Sequence, residues 1–159
     1  MGAVVANPGT FISGLERYEE RLEKMFRNKV RTLVSEGMRR LIAKTPVHTG
    51  QAVANYVATG GAPYGGPVKA GGDPEKGTNA MPLGPERNRG GAAAAATATV
   101  ATVDFSDPYK VFYITNRAPH IGGLESGALP KAPYTPRSPA GMFAITVQEL
   151  MALLSSGSI

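Results

Sequence analysis

Residues 13–44 carry SGLERYEERLEKMFRNKVRTLVSEGMRRLIAK, and we expect the fold to be built around this segment. Its apolar residues recur at steps of three and four, which is the spacing of one face of an α-helix. The pattern predicts one helix about 45 Å long, which is longer than a small domain needs for its own core. We therefore expect one end to project and to pack against a neighbouring copy. The apolar positions are Leu15, Tyr18, Leu22, Met25, Phe26, Val30, Leu33, Val34, Met38, Leu41 and Ile42.

Local signals mark both ends of this predicted helix. Ser13 and Glu16 match a capping box, in which the two side chains satisfy free backbone donors at a helix start. Pro46 predicts the end of the helix, because Thr45 before it is pushed out of helical geometry. Residues 1–12 contain no charged residue and are predicted to form a flexible arm.

Residues 45–50 are predicted to form a turn, and Gly50 is expected to have positive φ, which lets the chain turn tightly there. Beyond this turn, short elements alternate with loops. Residues 52–59 are predicted to form a strand, because they combine β-branched and aromatic residues. Residues 60–91 are rich in glycine and proline and show no core period, so we predict a long loop that is mobile in the free subunit. The alanine-rich stretch 92–103 is predicted to be helical, although its threonines and valines favour a strand.

The C-terminal part of the sequence predicts one strand and one helix. Residues 109–115 (YKVFYIT) have the alternating β-branched and aromatic character of a strand, and residues 116–138 are predicted to be loop. Ser138 and Pro139 are typical of a helix start, with serine as the cap and proline in the first position. The apolar face of that helix is formed by Phe143, Val147, Leu150, Met151 and Leu154.

The order of these elements predicts an α+β fold, in which a long N-terminal helix and shorter helices flank a small antiparallel β-sheet. We expect a single domain over residues 13–154, which includes the long Gly/Pro-rich loop at 60–91. Residues 1–12 precede it as an arm, and residues 155–159 follow it as a short tail.

Composition narrows the chemistry that the chain can perform. It has 159 residues with no cysteine, which excludes disulfides, thiol catalysis and a cysteine-ligated zinc site. No segment approaches the roughly 18 apolar residues of a membrane span, and the N-terminus lacks the basic residue of a signal peptide. We expect a soluble, unexported protein that assembles in a reducing cytoplasm, with no cofactor and no membrane partner.

Sequence patterns of catalytic and phosphate-binding sites are missing. None of the glycine pairs between residues 60 and 72 is followed by the Lys-Ser/Thr of a phosphate-binding loop. Asp104 and Asp107 are interpreted as turn residues rather than as an acid/base or metal-binding pair. His48 is interpreted as a surface or hydrogen-bonding residue, because no second metal ligand lies nearby in sequence. We predict that the protein is not an enzyme, since the alternative of a small hydrolase has no recognisable set of residues.

The net charge of +5 raises the question of a nucleic-acid partner. The second half of the long helix carries one acid, Glu36, against Arg27, Lys29, Arg31, Arg39, Arg40 and Lys44. We interpret these cations as a solvated helix face, and the alternative is a nucleic-acid-binding module or an acidic-partner surface that uses this basic half. In the long loop, the candidate contacts to DNA phosphates or to a partner are Lys69, Lys76, Arg87 and Arg89.

Three motif blocks follow one another along the chain. The first comes directly after the long helix and consists of Thr45, Pro46, Val47, Thr49 and Gly50. The second consists of Tyr113, Ile114, Thr115, Asn116, Ala118, Pro119 and His120, followed by Leu124, Glu125 and Gly127. The third consists of Pro139, Ala140, Gly141 and Met142. In this order they resemble the TPVDTG, YITNNAPY…LEYG and APAGMVRVTVAEF blocks of the neck or tail-completion proteins of tailed bacteriophages, also called head-tail joining or minor tail proteins.

The resemblance covers most of residues 13–154 and implies a structural protein of the virion. It implies a ring of identical copies around an axial channel, at the interface between head and tail. The implied neighbours are connector or head-completion proteins, tail terminator or tail tube proteins, and the double-stranded DNA that passes without sequence-specific contact. His48 replaces the family's usual aspartate and Gln51 a common arginine, so contacts of those two side chains are not carried over.

Overall fold

The computed structural model of the chain describes residues 7–47, 49–69, 89–128 and 140–159. These residues form five helices and two strands. The arrangement is the α+β fold that the sequence predicts, with a long N-terminal helix, shorter helices and a small antiparallel sheet. The elements are α1 (Pro8–Lys44), α2 (Gln51–Ala54), β1 (Tyr56–Gly60), α3 (Arg89–Ala101), β2 (Phe112–Asn116), α4 (Ile121–Glu125) and α5 (Met142–Ser155).

Helix α1 begins earlier than predicted, so the boundary placed at Ser13 was wrong and the expected arm 1–12 is helical from Pro8 onward. The Asn7 side chain caps the helix by accepting a hydrogen bond from the Thr10 N–H at 3.3 Å. Pro8 favours this start rather than opposing it, because the first helical position needs no backbone donor. The Ser13 hydroxyl lies inside the helix and donates to the Thr10 carbonyl. Residues 1–6 lie outside the described part of the chain.

The end of α1 agrees with the sequence. Thr45 is its C-cap and has extended backbone angles, φ −78° and ψ 125°, as expected for a residue before proline. In the second half of α1, the apolar stripe enters the core through Val34, Met38 and Leu41. At 37 residues the helix is about 55 Å long.

The stretch predicted as a strand over residues 52–59 is split. Gln51–Ala54 form the short helix α2, and β1 begins only at Tyr56. The prediction failed because Ala52 to Ala58 are all buried, so no polar alternation separates a helical turn from a strand. Val53 and Ala54 join a small apolar cluster with Val47 and Ala92, which ties the turn after α1 to the start of α3.

Strands β1 and β2 form a two-stranded antiparallel sheet, with Tyr56 opposite Asn116 and Gly60 opposite Phe112. Helix α3 covers the outer edge of β1, where the Thr99 hydroxyl accepts a hydrogen bond from the Ala58 N–H at 3.0 Å. The main core lies between α1, α3, α5 and the sheet. Its buried members are Val34, Met38, Leu41, Ala52, Tyr56, Ala58, Ala96, Val100, Phe105, Leu124 and Met142.

Helices occupy described parts of both predicted loops. Helix α3 starts at Arg89, inside the loop assigned to 60–91, because an alanine run stabilises helix even after Gly90 and Gly91. Helix α4 lies inside the loop assigned to 116–138 and was hidden by its two glycines. Residues 70–88 and 129–139 lie outside the described part of the chain.

The last two predicted elements exist, with shifted boundaries. Strand β2 begins at Phe112 rather than at residue 109, because Asp107 holds Tyr109 in a turn by accepting its backbone N–H at 3.0 Å. Helix α5 begins at Met142 and ends at Ser155, so the residues after it begin at 156, one residue later than the tail assigned to 155–159. Ser138 and Pro139, the predicted start of this helix, lie outside the described residues.

Candidate functional site

The first and second motif blocks meet at the buried side chain of Tyr56. The Thr45 hydroxyl donates to the Leu41 carbonyl at 2.6 Å and lies 2.8 Å from the Tyr56 hydroxyl. Because Thr45 has one proton and uses it on Leu41, the Tyr56 hydroxyl is the donor in the second bond. Burial raises the pKa of Tyr56 to about 12, so its hydroxyl is neutral and holds the end of α1 against β1.

Asn116, at the end of β2, joins the second block to the turn that follows the first. Its side-chain amide donates to the Ala52 carbonyl at 2.7 Å, and its oxygen accepts the Ala118 N–H at 2.9 Å. Asn116 is also the residue directly opposite Tyr56 in the sheet. Each of these groups is part-buried or buried, where an unpaired polar atom costs free energy. Asn116 therefore fixes both the exit from β2 and the start of the first strand.

The second and third blocks meet at the start of α5. Glu125 accepts hydrogen bonds from the backbone N–H groups of Phe143 at 2.9 Å and of Ala144 at 3.3 Å. The Glu125 carbonyl also accepts the Gly141 N–H at 2.6 Å. A carboxylate here satisfies free donors and interacts favourably with the helix dipole. Met142 of the third block belongs to the same buried core cluster as Tyr56, and the ring of Phe143, the next residue, packs 5.8 Å from the Tyr56 ring. All three blocks therefore converge around one tyrosine.

The three glycines of the motif blocks, Gly50, Gly127 and Gly141, all have backbone angles that only glycine adopts easily. Gly50 caps α2 with φ 82°, which confirms the expectation of a tight turn at that position. Gly127 has φ 75°, and a Cβ built on it would lie 2.8 Å from the Cβ of Ala140. The LExG and PAGM blocks therefore approach each other too closely for a side chain at residue 127.

Removing the Glu125 carboxylate should loosen the start of α5. We expect Glu125→Ala to lower the free energy of unfolding by about 1 to 2 kcal/mol, the usual cost of losing a helix cap. Glu125→Gln keeps an acceptor and should lose less. Denaturant unfolding followed by circular dichroism measures both, with the exposed Glu16→Ala as control. Equal stability of Glu125→Ala and the control would contradict the capping role.

The basic half of α1 is extensively paired. Glu36 binds Arg39 and Arg40, and the Arg39 hydrogen bond is the main cause that lowers the pKa of Glu36 to about 2. Glu149 on α5 binds Arg40 at 2.7 Å and Lys44 at 2.6 Å. These ion pairs join α1 to α5 and neutralise much of the charge that the sequence places on this face.

The other cations of this half of α1 also have partners. Arg27 binds Glu23 at 3.0 Å, and Lys29 donates to the Ile159 carbonyl at 2.8 Å. The Arg31 guanidinium lies 5.4 Å from the centre of the Phe105 ring. All six cations of residues 27–44 therefore contact another group of the described chain.

Of the four candidate DNA contacts, two lie in the described part of the chain. The Lys69 backbone is clamped by Asn55, whose amide oxygen accepts the Lys69 N–H and whose amide nitrogen donates to the Lys69 carbonyl, both at 2.7 Å. Arg89 is the first residue of α3. Lys76 and Arg87, together with His48 and Pro139 of the earlier interpretations, lie outside the described residues.

The acidic pair after α3 forms turns, as interpreted from the sequence. Asp104 accepts hydrogen bonds from the backbone N–H and the hydroxyl of Ser106, and Asp107 accepts from Tyr109. Within residues 7–47, 49–69, 89–128 and 140–159, no cluster of three His, Cys, Asp or Glu side chains is placed to hold a metal ion. No helix in those ranges has the length and apolarity to cross a membrane.

Comparisons with protein-family models, with curated proteins and with solved structures gave no match to this chain.

Three important side chains were missed by reasoning from the sequence. Tyr56 was treated only as an apolar strand residue, and Asn55 was not singled out at all. Glu125 was noted for its motif, but its role as the cap of α5 depends on a contact across 18 residues of sequence. A polar residue inside an apolar stretch, such as Asn55 between Ala54 and Tyr56, was the available signal.

Proposed function

We propose that this chain is a structural, non-enzymatic subunit of a tailed-bacteriophage virion, which forms a ring at the head-tail interface. The observation that carries the proposal is the convergence of the three motif blocks. The Thr45 hydroxyl lies within hydrogen-bond distance of Tyr56, Asn116 lies opposite Tyr56 in the sheet, and Met142 belongs to the same buried cluster, although the three come from distant parts of the sequence. A set of motifs that builds one buried junction favours a common architecture over a chance likeness of short sequences.

The chemistry of this junction supports a scaffold rather than a reaction. Tyr56 is fully buried and protonated, and the side-chain amide of Asn116 hydrogen-bonds backbone atoms through both its nitrogen and its oxygen. A general acid, a base or a nucleophile must reach a substrate. Side chains that are buried and fully paired instead fix the angle between α1, the sheet and α5.

In the proposed ring, copies surround the channel through which double-stranded DNA passes without sequence-specific contact. Connector or head-completion proteins lie on one side, and tail terminator or tail tube proteins on the other. Lys69, Lys76, Arg87 and Arg89 are the proposed contacts to the DNA or to these partners, since a ring gathers such cations near a polyanion. The protein is assembled in the host cytoplasm and resides in the virion neck.

The rival function is a nucleic-acid-binding module that uses the basic half of α1. Four of its six cations are ion-paired with glutamates, which weakens this alternative because ion-paired side chains release fewer DNA counterions. Retention of the purified protein on heparin or duplex DNA, measured against salt, separates the two functions. We expect elution at low salt, whereas tight retention with a steep salt dependence would favour the rival.

Deletion of the gene in the phage tests the proposed function. We expect separate tails and DNA-filled or leaking heads in electron micrographs, restored to joined particles by the wild-type chain supplied in trans. Joined, infectious particles without this protein would overturn the proposal.

A further inference from the structure

We propose that an exposed apolar stripe on the projecting part of α1 docks onto an exposed apolar stripe of α5 in a second copy of this chain. The contact is head-to-tail, because it uses two different surfaces. It rests on the proposed function, since it supplies the contact between neighbouring subunits of the ring. We define the α1 stripe as Phe11, Leu15 and Tyr18, and the α5 stripe as Val147, Met151 and Leu154.

The α1 stripe lies on a part of the helix that the rest of the described chain leaves bare. Helix α5 runs back along α1, with Glu149 beside Lys44 and Ile159 beside Lys29. Residues 14–20 lie beyond that end and are all exposed. The side chains of the α1 stripe are 52% to 60% exposed, although they continue the apolar face that enters the core further along.

Helix α5 has apolar residues on two adjoining faces, one against the core and one exposed. Met142 and Leu150 face the core and α1, whereas the α5 stripe is 48% to 63% exposed. The one charged residue of the helix is Glu149, which is paired with Arg40 and Lys44. A helix whose apolar residues cover more than its core-facing side is normally buried over the whole apolar surface. The second face of α5 therefore lacks a cover among the described residues.

The two stripes match in spacing. Steps of four and then three residues separate the members of each stripe, which is the spacing of a helix-helix seam. Each stripe is about 10 Å long. Two helices with this pattern can interdigitate along their whole exposed faces.

Charge favours pairing of unlike surfaces over symmetric pairing of two α5 stripes. Residues 8–26 carry three basic and four acidic side chains, a net charge of 3 − 4 = −1. Residues 27–44 together with α5 carry six basic side chains and two acidic ones, Glu36 and Glu149, a net charge of 6 − 2 = +4. Symmetric pairing through α5 would bring two basic surfaces together, whereas the head-to-tail contact places the acidic segment beside the basic one.

The contact must join different copies. Leu15 lies 22 residues before Gly37, the α1 residue beside Leu150, and 22 residues of helix span about 33 Å. The two stripes of one copy therefore cannot meet. Different surfaces that pair head-to-tail generate a closed ring when the rotation between copies closes. The small area of each stripe predicts weak association of the isolated protein, which should be monomeric or weakly oligomeric in sizing chromatography.

Disulfide trapping tests this contact cleanly, because the chain has no native cysteine. Leu15→Cys and Met151→Cys occupy the middle of the two stripes, so they face each other whichever way the helices run. The two purified single variants, one carrying a mass tag, are mixed and oxidised. The matched control is Arg17→Cys mixed with Ala152→Cys, two exposed positions that lie two and one residues from Leu15 and Met151, on other faces of the two helices.

We expect the stripe pair to form a mixed dimer at least about tenfold faster than the control pair, since a weak contact already gives that enrichment. A chain with both substitutions should form a ladder of covalent oligomers. Phe11→Cys in the tagged chain should be trapped by Leu154→Cys or Val147→Cys in the other chain. Adding Leu15→Glu to the tagged chain should abolish this trapping. Rates equal to the control, or faster trapping of Leu15→Cys with itself, would overturn the contact.

Failure of this contact and failure of the proposed function are distinguishable. Trapping is scored on purified protein, whereas the neck function is scored on joined particles. A protein that is needed for joining but shows no trapping keeps the neck function and loses the contact. A protein that is trapped but is not needed for joining keeps the contact and loses the neck function.

Discussion

Gly37→Leu is expected to lower the free energy of unfolding by about 3 kcal/mol, the cost of overpacking a tight core. Gly37 is buried in the middle of α1, where glycine is otherwise unfavourable. A Cβ at this position would lie 3.1 Å from Ile114 Cδ1 and 3.3 Å from Leu150 Cδ1. The glycine therefore lets α1 approach both β2 and α5, and a leucine forces all three apart.

Two controls separate packing from helix propensity. Gly14→Leu makes the same substitution in the same helix, where a Cβ meets nothing within 4 Å. It should leave stability unchanged or raise it by up to about 1 kcal/mol, the propensity difference between glycine and leucine. Gly37→Ala contacts only the ends of two flexible side chains and should be nearly neutral. Denaturant unfolding of the three variants is the measurement, and equal stability of the two leucine variants would contradict the close approach.

Gly50→Val is expected to cost on the order of 2 kcal/mol, because a β-branched residue is strained at positive φ. Gly50 has φ 82° and begins the turn that leads from α1 into β1. Pro46→Ala removes the residue that keeps Thr45 extended, so α1 should run on and blur the same corner. In complementation of a phage that lacks the gene, both variants should lower the yield of joined heads and tails.

Gly61→Val is the matched control for this corner. Gly61 also has positive φ, 84°, but a Cβ there meets nothing within 4 Å, and the residue lies at the far end of β1. It should lose comparable stability while supporting joining better than Gly50→Val at a permissive temperature. Normal particle assembly with both Gly50→Val and Pro46→Ala would show that this corner is not an architectural element of the neck.

The sequence predicted the features that depend on local pattern. The period of apolar residues is enough to place α1, and Pro46 is enough to end it. The positive φ of Gly50 followed from a glycine directly after a helix stop and before an extended segment. The alanine run was correctly predicted to be helical because propensity acts residue by residue.

The features that the sequence did not predict depend on contacts between distant residues. Helix α4 and the start of α5 stabilise each other through Glu125, and no local signal marks that cap. The bond between Thr45 and Tyr56 requires the fold to exist before either partner is recognisable. The early start of α1 is an exception, since Asn7 and Pro8 together form a local start signal that Ser13 and Glu16 obscured.

The helical pattern of apolar residues also did not distinguish the exposed part of the apolar face from the part in the core. The face of α1 continues from Met38 and Leu41 in the core to Phe11 and Leu15 outside it. Periodicity reports which face is apolar, but not where along the helix that face is covered by the same chain. The expectation that one end projects followed from the helix length alone.

Labelling the protein inside purified particles directly tests whether it lies in the neck of the virion. A gold-binding tag at Gly157, an exposed position at a turn after α5, would be imaged by electron microscopy in particles that the tagged chain has complemented. We expect gold at the junction between head and tail in joined particles. Gold on the head shell or at the tail tip, or particles without any gold, would contradict the assignment to the neck.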